Sequence, residues 1–380
     1  MNASGIALES GPFALTEAEL YRVSIPMHEP FRISSGEVSN KEAILLRTGD
    51  GRESGWGESS AMGGAFYSSE TPEGCYEELL HRVLPHLLDR QFSSMLVFEQ
   101  ELERLSQNRF VRAAAETAAW DLIARRKQIS LRQLFQIPER PVPSGLAIGL
   151  YPTIKELESA IRRYEPEQYC RIKLKIQPGC DLQVVEAARR LVGDFPLFVD
   201  ANAAYDSADL ATFAKLDEQS LLMFEQPFAK GDLEGLAALQ RCVRTPVCLD
   251  ESIETAKDAE RFIAAKACAI VNIKLQRVGG YLPALRIMEV CSRLNIPLWM
   301  GTMPELGIGS AQALMLAAHP LFVFPTDVEP SERWYVDDLV SPEIRLSGKC
   351  IHSPKGPGTG YEVDQRRVDN YSIVHSRLKA

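Results

Sequence analysis

The chain is 380 residues long, 45% hydrophobic and 24% charged, a balance typical of soluble globular proteins and a length that suggests two or three domains. Its 42 basic and 51 acidic residues give a formal net charge of −9, so it lacks the basic excess that a nucleic-acid partner would require. No segment approaches the ~20 apolar residues of a membrane span, no basic-then-apolar start marks a secretory signal, and eight cysteines without a C-x-x-C pair read as thiols of a reducing, cytoplasmic compartment.

Residues 1–140 read as an α+β capping unit. Strands are predicted over 19–24 and 43–48, with Gly51 and Arg52 supplying a turn into a further segment at 55–58. Helical spacing of apolar residues follows over 76–88, 95–105 and 111–126. The last of these carries Ala114, Ala115, Ala118 and Ala119, small side chains that let a helix lie close against another layer. Pro141 and Pro143 then mark a boundary.

From residue 141 to about 340 the pattern becomes strand, helix, strand, helix. Short β-rich runs fall at 147–150, 171–176, 197–200, 222–225, 247–250, 269–274, 297–301 and 322–325, separated by amphipathic stretches such as 182–191 and 256–265. Such alternation implies right-handed crossovers and parallel pairing. An open doubly wound sheet would fit it too, but eight strands in this length come close to a compact (β/α)8 TIM-type barrel, whose lower limit is about 200 residues. Residues 341–380 form a C-terminal segment expected to return to the cap.

Five ionisable residues stand at the ends of five successive predicted strands: Lys175, Asp200, Glu225, Asp250 and Lys274, at intervals of 25, 25, 25 and 24 residues. A βα unit of constant length therefore brings one ionisable group after another to the C-terminal face, where barrel enzymes build their sites. Solvated loop charges would have no reason to keep this phase. Asp200, Glu225 and Asp250 converging on one mouth would repel one another without a cation between them, and three hard oxygen donors suit Mg²⁺. Zinc is disfavoured because no histidine accompanies them. Lys173 and Lys175, two apart on one strand, share a face, and the charge on one disfavours protonation of the other. Lys175 can then act as a base, with Lys274 facing the other side of the bound carbon.

The segments RIKLKI, VDAN, FEQP, LDES and VNIK resemble the muconate-lactonizing branch of the enolase superfamily, and the resemblance covers nearly the whole chain. The mandelate-racemase branch, which carries a histidine at the seventh strand, is not matched by WMGTMPELG. Within the branch, GWGES, GGAFYSSE, VNIKLQRVGGY and GTMPELGIG are similar to the o-succinylbenzoate synthase / N-succinylamino acid racemase family, from whose G-G-M-x-E-x-G pattern Thr302 departs, with Pro304 at its variable position. The resemblance implies Asp200, Glu225 and Asp250 as Mg²⁺ ligands and Lys175 and Lys274, aided by Lys173, as acid and base. It further implies substrate contacts at Asn202, Glu251, Gly301, Met303 and Glu305, and from cap lid loops near 26–36 and 55–70 at Phe31, Tyr67 and Ser68.

The implied partner is a small-molecule carboxylate, without nucleic acid or membrane, and a homo-oligomer is compatible with the sequence. The implied reaction is proton abstraction next to the carboxylate, leading to dehydration to o-succinylbenzoate on the way to menaquinone, or to racemisation of N-acylated amino acids. Asp327 and Glu329 would suit the amine of a dipeptide-epimerase substrate. A barrel that only bound acidic metabolites would not require paired lysines.

Overall fold

The computed structural model describes residues 3–64 and 67–380. The cap is built on an antiparallel sheet of β1 (Glu17–Ile33), β2 (Gly36–Gly49) and β3 (Ser54–Ser59). Buried and more exposed positions alternate along much of β1, as a sheet covered on one face requires. A helical run over 72–87 comes next, and after it α1 (Met95–Leu105) and α2 (Arg109–Arg126), of which α2 lies against β3. Its alanines face Gly55 and Gly57, where any Cβ would collide with the α2 backbone at Ala118, Leu122 and Ala114. The small residues on both elements are therefore one feature: they let a helix backbone rest directly on a strand.

Two expectations for the cap change here. The segment 26–36 is no loop but the end of a β-hairpin, with β1 and β2 paired as far as Ile33 and Gly36. Its register shifts between Pro26 and Phe31, a stretch where Pro26 and Pro30 cannot donate to the ladder. Residues 55–59 likewise belong to β3, so the cap loop near the barrel starts only at Ser60. Ala65 and Phe66 of that loop lie outside the described residues.

The second half is a parallel sheet whose seven strands neighbour one another in chain order: β4 (Leu146–Ile148), β5 (Ile172–Lys175), β6 (Leu197–Asp200), β7 (Phe224–Glu225), β8 (Val247–Leu249), β9 (Ile270–Ile273) and β10 (Leu298–Met300). The helices between them are α3 (Ile154–Arg163), α4 (Leu182–Val192), α5 (Leu210–Leu216), α6 (Leu233–Cys242), α7 (Ala256–Ala264) and α8 (Tyr281–Arg293), followed by α9 (Gly307–Ala317) after the seventh strand. The eighth strand expected at 322–325 is not a regular strand. Single parallel bridges join Phe322 to Leu298 and Thr326 to Ser144, and Pro325 between them has no N–H to give. Those bridges still span β10 and the entry to β4, so the sheet curls round to meet itself. Phe198, Met223, Cys248, Ile270 and Trp299 pack together inside it as a separate apolar cluster. The last strand, β11 (Ser372–Lys379), pairs antiparallel with β1 and joins the two ends of the chain in one sheet. Among the described residues no helix is long and apolar enough to cross a membrane.

Candidate active site

Lys175, Asp200 and Glu225 occupy one register row: Lys175 is level with Asp200 across β5 and β6, and Asp200 with Glu225 across β6 and β7. Asp250 and Lys274 directly follow β8 and β9. The constant repeat thus becomes a ring of charge at one end of the sheet. Asp200, Glu225 and Asp250 are wholly buried, and the three lysines nearly so.

The groups hold one another in named pairs. Lys175 Nζ donates to Asp200 Oδ2 and to Asn202 Oδ1, each at 2.6 Å. Lys173 Nζ lies 3.4 Å from both Asp200 Oδ2 and Glu225 Oε2 and is bonded to Asp327. Lys274 Nζ donates to Asp250 Oδ2 at 2.8 Å and lies 3.4 Å from the Tyr67 hydroxyl. Arg277 grips the other oxygen of Asp250 and is itself fixed by the carbonyls of Asn272 at 2.6 Å and Ile253 at 3.0 Å. Asn272 Nδ2 donates to Glu225 Oε1 at 2.7 Å.

The lysines are not electrostatically alike. Burial holds the Lys175 pKa below the ordinary lysine value despite Asp200 beside it, and the charge of Lys173 adds to the depression. Burial acts the same way on Lys274, but Tyr67, Glu251, Glu225 and Asp200 outweigh it and raise the pKa. Lys173 is raised too, since Asp327, Glu225 and Asp200 overcome its burial. Repulsion between Lys173 and Lys175 acts on both, but only Lys175 is lowered overall, because Asp327 stabilises the charge on Lys173.

The three acids have the chemistry of a magnesium site: hard oxygen donors on neighbouring strands, buried and side by side. Burial and the adjacent Asp200 push Glu225 up to about 7, so this pair of carboxylates calls for positive charge. Among the described residues no three acidic, histidine or cysteine side chains converge as arranged to enclose an ion. Lys173, Lys175, Lys274 and Arg277 draw the carboxylates onto themselves instead.

A small cavity opens onto this ring. Lys173, Lys175, Asn202 and Lys274 form its floor, and the cap supplies Phe31, Ile33, Met62 and Tyr67. Thr302, Met303 and Pro304 after β10, with Trp334, complete an apolar wall. Of the residues expected to touch substrate, Asn202, Met303, Tyr67 and Phe31 line this cavity.

Ser68 and Glu251 instead line a neighbouring cavity on the other side of Tyr67. Gly301 faces Asn272, whose amide a Cβ at that position would strike. Glu305 turns away to accept the Met303 N–H at 3.0 Å. Asp327 also lines the cavity, with one oxygen bonded to Lys173 and the other to Arg171. Glu329 accepts the Ala147 N–H at 2.9 Å.

Sequence reasoning did not single out Arg171, Asn272 or Arg277 as site residues. Arg171 precedes Lys173 by two, and Asn272 precedes Lys274 by two, so the period-2 rule that pairs Lys173 with Lys175 would have turned both inward. Arg277 follows Lys274 on a short helical turn, Leu275–Val278, where strand periodicity has no reach.

Residues 15–135 match the family of mandelate racemase / muconate lactonizing enzyme N-terminal domains, and residues 155–367 match the enolase C-terminal domain-like family. An o-succinylbenzoate synthase from Geobacillus kaustophilus is 37% identical over 354 residues, covering 93% of this chain and 94% of its own. An N-succinylamino acid racemase from Amycolatopsis sp is 40% identical over 347 residues, covering 91% and 94%. A solved structure of an enolase-superfamily member from Listeria innocua superposes with a TM-score of 0.90 at 32% identity, covering 96% of this chain and 99% of that one. With both domain types matched and relatives aligned along nearly its full length, the chain belongs to the enolase superfamily and is an enzyme.

Proposed function

We propose that the chain removes a proton α to a substrate carboxylate and uses this step to dehydrate a succinyl-substituted hydroxycyclohexadiene carboxylate to o-succinylbenzoate, a step toward menaquinone. The observation that carries the reading is the pair Lys175 and Lys274, which enter one cavity from β5 and from the end of β9 with the three acids of the intervening strands between them. Asp200, Glu225 and Asp250 would hold Mg²⁺, whose charge would stabilise the dianion that forms as the proton leaves. Lys175, with its lowered pKa, takes the proton and returns it to the departing hydroxyl on the same face. Lys274 keeps its proton and faces the developing negative charge from the other side. The apolar wall excludes water from the ring of the substrate.

A second reading is racemisation of N-acylamino acids, favoured by the entry of both Lys175 and Lys274 into one cavity and by the Amycolatopsis relative's name. Purified protein assayed on both substrate classes distinguishes the two. Activity should depend on Mg²⁺ and vanish in EDTA, and each of Asp200→Ala, Glu225→Ala and Asp250→Ala should lose metal binding and turnover together. Full turnover in EDTA would overturn both readings.

A further inference from the structure

The segment GTMPELGIG connects β10 to α9, and its first half forms part of the cavity wall through Thr302, Met303 and Pro304. Its second half is held from the cap. Glu58, at the end of β3, is completely buried and reaches across the domain boundary. Its Oε1 accepts the Leu306 N–H and its Oε2 the Gly309 N–H, both at 2.8 Å. These are N–H groups of the first turn of α9, which the helix itself cannot satisfy.

Gly309 makes this approach feasible, since a Cβ there would come 2.8 Å from the Glu305 side chain and 3.1 Å from Glu58 Oε2. Glu305 lies beside Glu58, also buried, and accepts the Met303 N–H, bracing the loop from within. The Tyr335 hydroxyl donates to the carbonyl of Glu305 at 3.1 Å and lies 3.4 Å from that of Pro304. Lys41, buried on β2, offers both carboxylates a positive neighbour.

None of these groups lines the cavity: Glu305 and Tyr335 hold residues 303–305 of the loop, and Glu58 holds Leu306 and Gly309, where the same loop enters α9. We propose that Glu58 and Glu305 are positioning residues for substrate recognition: they clamp 302–304 against the cap, so that docking of the two domains sets the wall that reads the apolar group beyond the reacting carbon. Met62 from the cap and Met303 from the loop then meet as two halves of one surface. The inference rests on the carboxylate-substrate reading above and adds the part of the molecule that selects the remainder of the substrate.

The test is binding of N-succinyl-L-phenylalanine and N-succinyl-L-alanine to the full chain, measured calorimetrically with Mg²⁺ present. The two ligands share carboxylate and acyl group and differ by a phenyl ring, so the ratio of their affinities reports on the apolar wall alone. Glu58→Gln and Glu305→Gln should each cut the wild-type preference for the phenyl ligand by at least ~5-fold while changing affinity for the alanine ligand by less than ~2-fold, within the range that one apolar group commands in a pocket. Tyr335→Phe, which withdraws a single hydroxyl, should move the ratio the same way by a smaller factor, and it decides the matter if the carboxylate variants do not fold. Equal weakening of both ligands, an unchanged ratio in the variants that fold, or no phenyl preference in the wild type overturns the inference. A wild-type protein that binds neither ligand overturns the racemase reading instead, and the inference with it.

Discussion

At the scale of the residue, the chemistry depends on two lysines made unequal by their neighbours. Lys175 is buried and shares Asp200 with Lys173, so its neutral form is favoured; Lys274 has Asp250, which it shares with Arg277, on one side and Tyr67 on the other. In dehydration Lys175 acts twice and Lys274 only stabilises charge, whereas racemisation needs each lysine to serve one enantiomer. With an N-acylamino acid in D₂O, Lys274→Ala should exchange the α-hydrogen of one enantiomer without interconverting the pair, and Lys175→Ala should exchange only the other. Both variants should lose dehydration by at least ~10²-fold, the low end for a positioned acid or base. Nuclear magnetic resonance of the exchanging hydrogen checks this, and normal dehydration by Lys175→Ala would show the base to be wrongly assigned. These residues were legible because a repeat of constant length put each at a strand end. Arg171 and Asn272 obey the same alternation and were legible in principle. Arg277, which holds Asp250, was not, because its approach depends on how a short turn after β9 folds back.

At the scale of the element, the closest approach in the cap is that of α2 to β3. Gly57 has the Ala114 backbone where its side chain would be, and backbone cannot step aside as a side chain can. Gly57→Ala should therefore cost about 2–3 kcal/mol, toward the upper end for overpacking. Gly63→Ala, where a Cβ would meet nothing within 4 Å, is the matched control and should cost little. Denaturant midpoints of the two variants provide the measurement, and equal midpoints would mean that α2 and β3 can separate freely. Alanine spacing made the close approach legible in α2, though not its partner, because nothing local in GWGES says which helix it meets. The eighth barrel position was lost for a different reason. Its segment makes the hydrogen bonds that close the sheet, from Val323 to Leu298 and from Thr326 to Pro143, but too few in a row to count as a strand. Local propensity anticipates a strand there, and Pro325 interrupts it.

At the scale of the whole molecule, the two domains are joined by cap carboxylates that bind barrel helices at their N-terminal N–H groups. Glu58 does so for α9, and Glu116 of α2 does so for α8 through the N–H groups of Tyr281 at 2.8 Å and Leu282 at 2.9 Å. Neither contact has a local signature, since each pairs residues far apart in sequence, and a glutamate within an alanine-rich helix reads as solvated. Burial pushes Glu116 up from 4.5 to about 8, with the two backbone N–H groups and Trp120 opposing the rise; Glu99 and Arg286 also act on it electrostatically. Between those two values the folded protein keeps a proton that the unfolded chain has released. Stability from this group is therefore present at acidic pH and is lost as pH rises toward 8. Glu116→Gln cannot ionise, so the fall in melting temperature between about pH 5 and about pH 8 should be smaller in the variant than in the wild type. The comparison uses the slope, because the amide also gives up one acceptor to the α8 N–H groups and lowers stability at every pH. Parallel curves for the two proteins would mean that Glu116 is already ionised across this range, and that the join between cap and barrel is a buried ion on a helix terminus and not a shared proton.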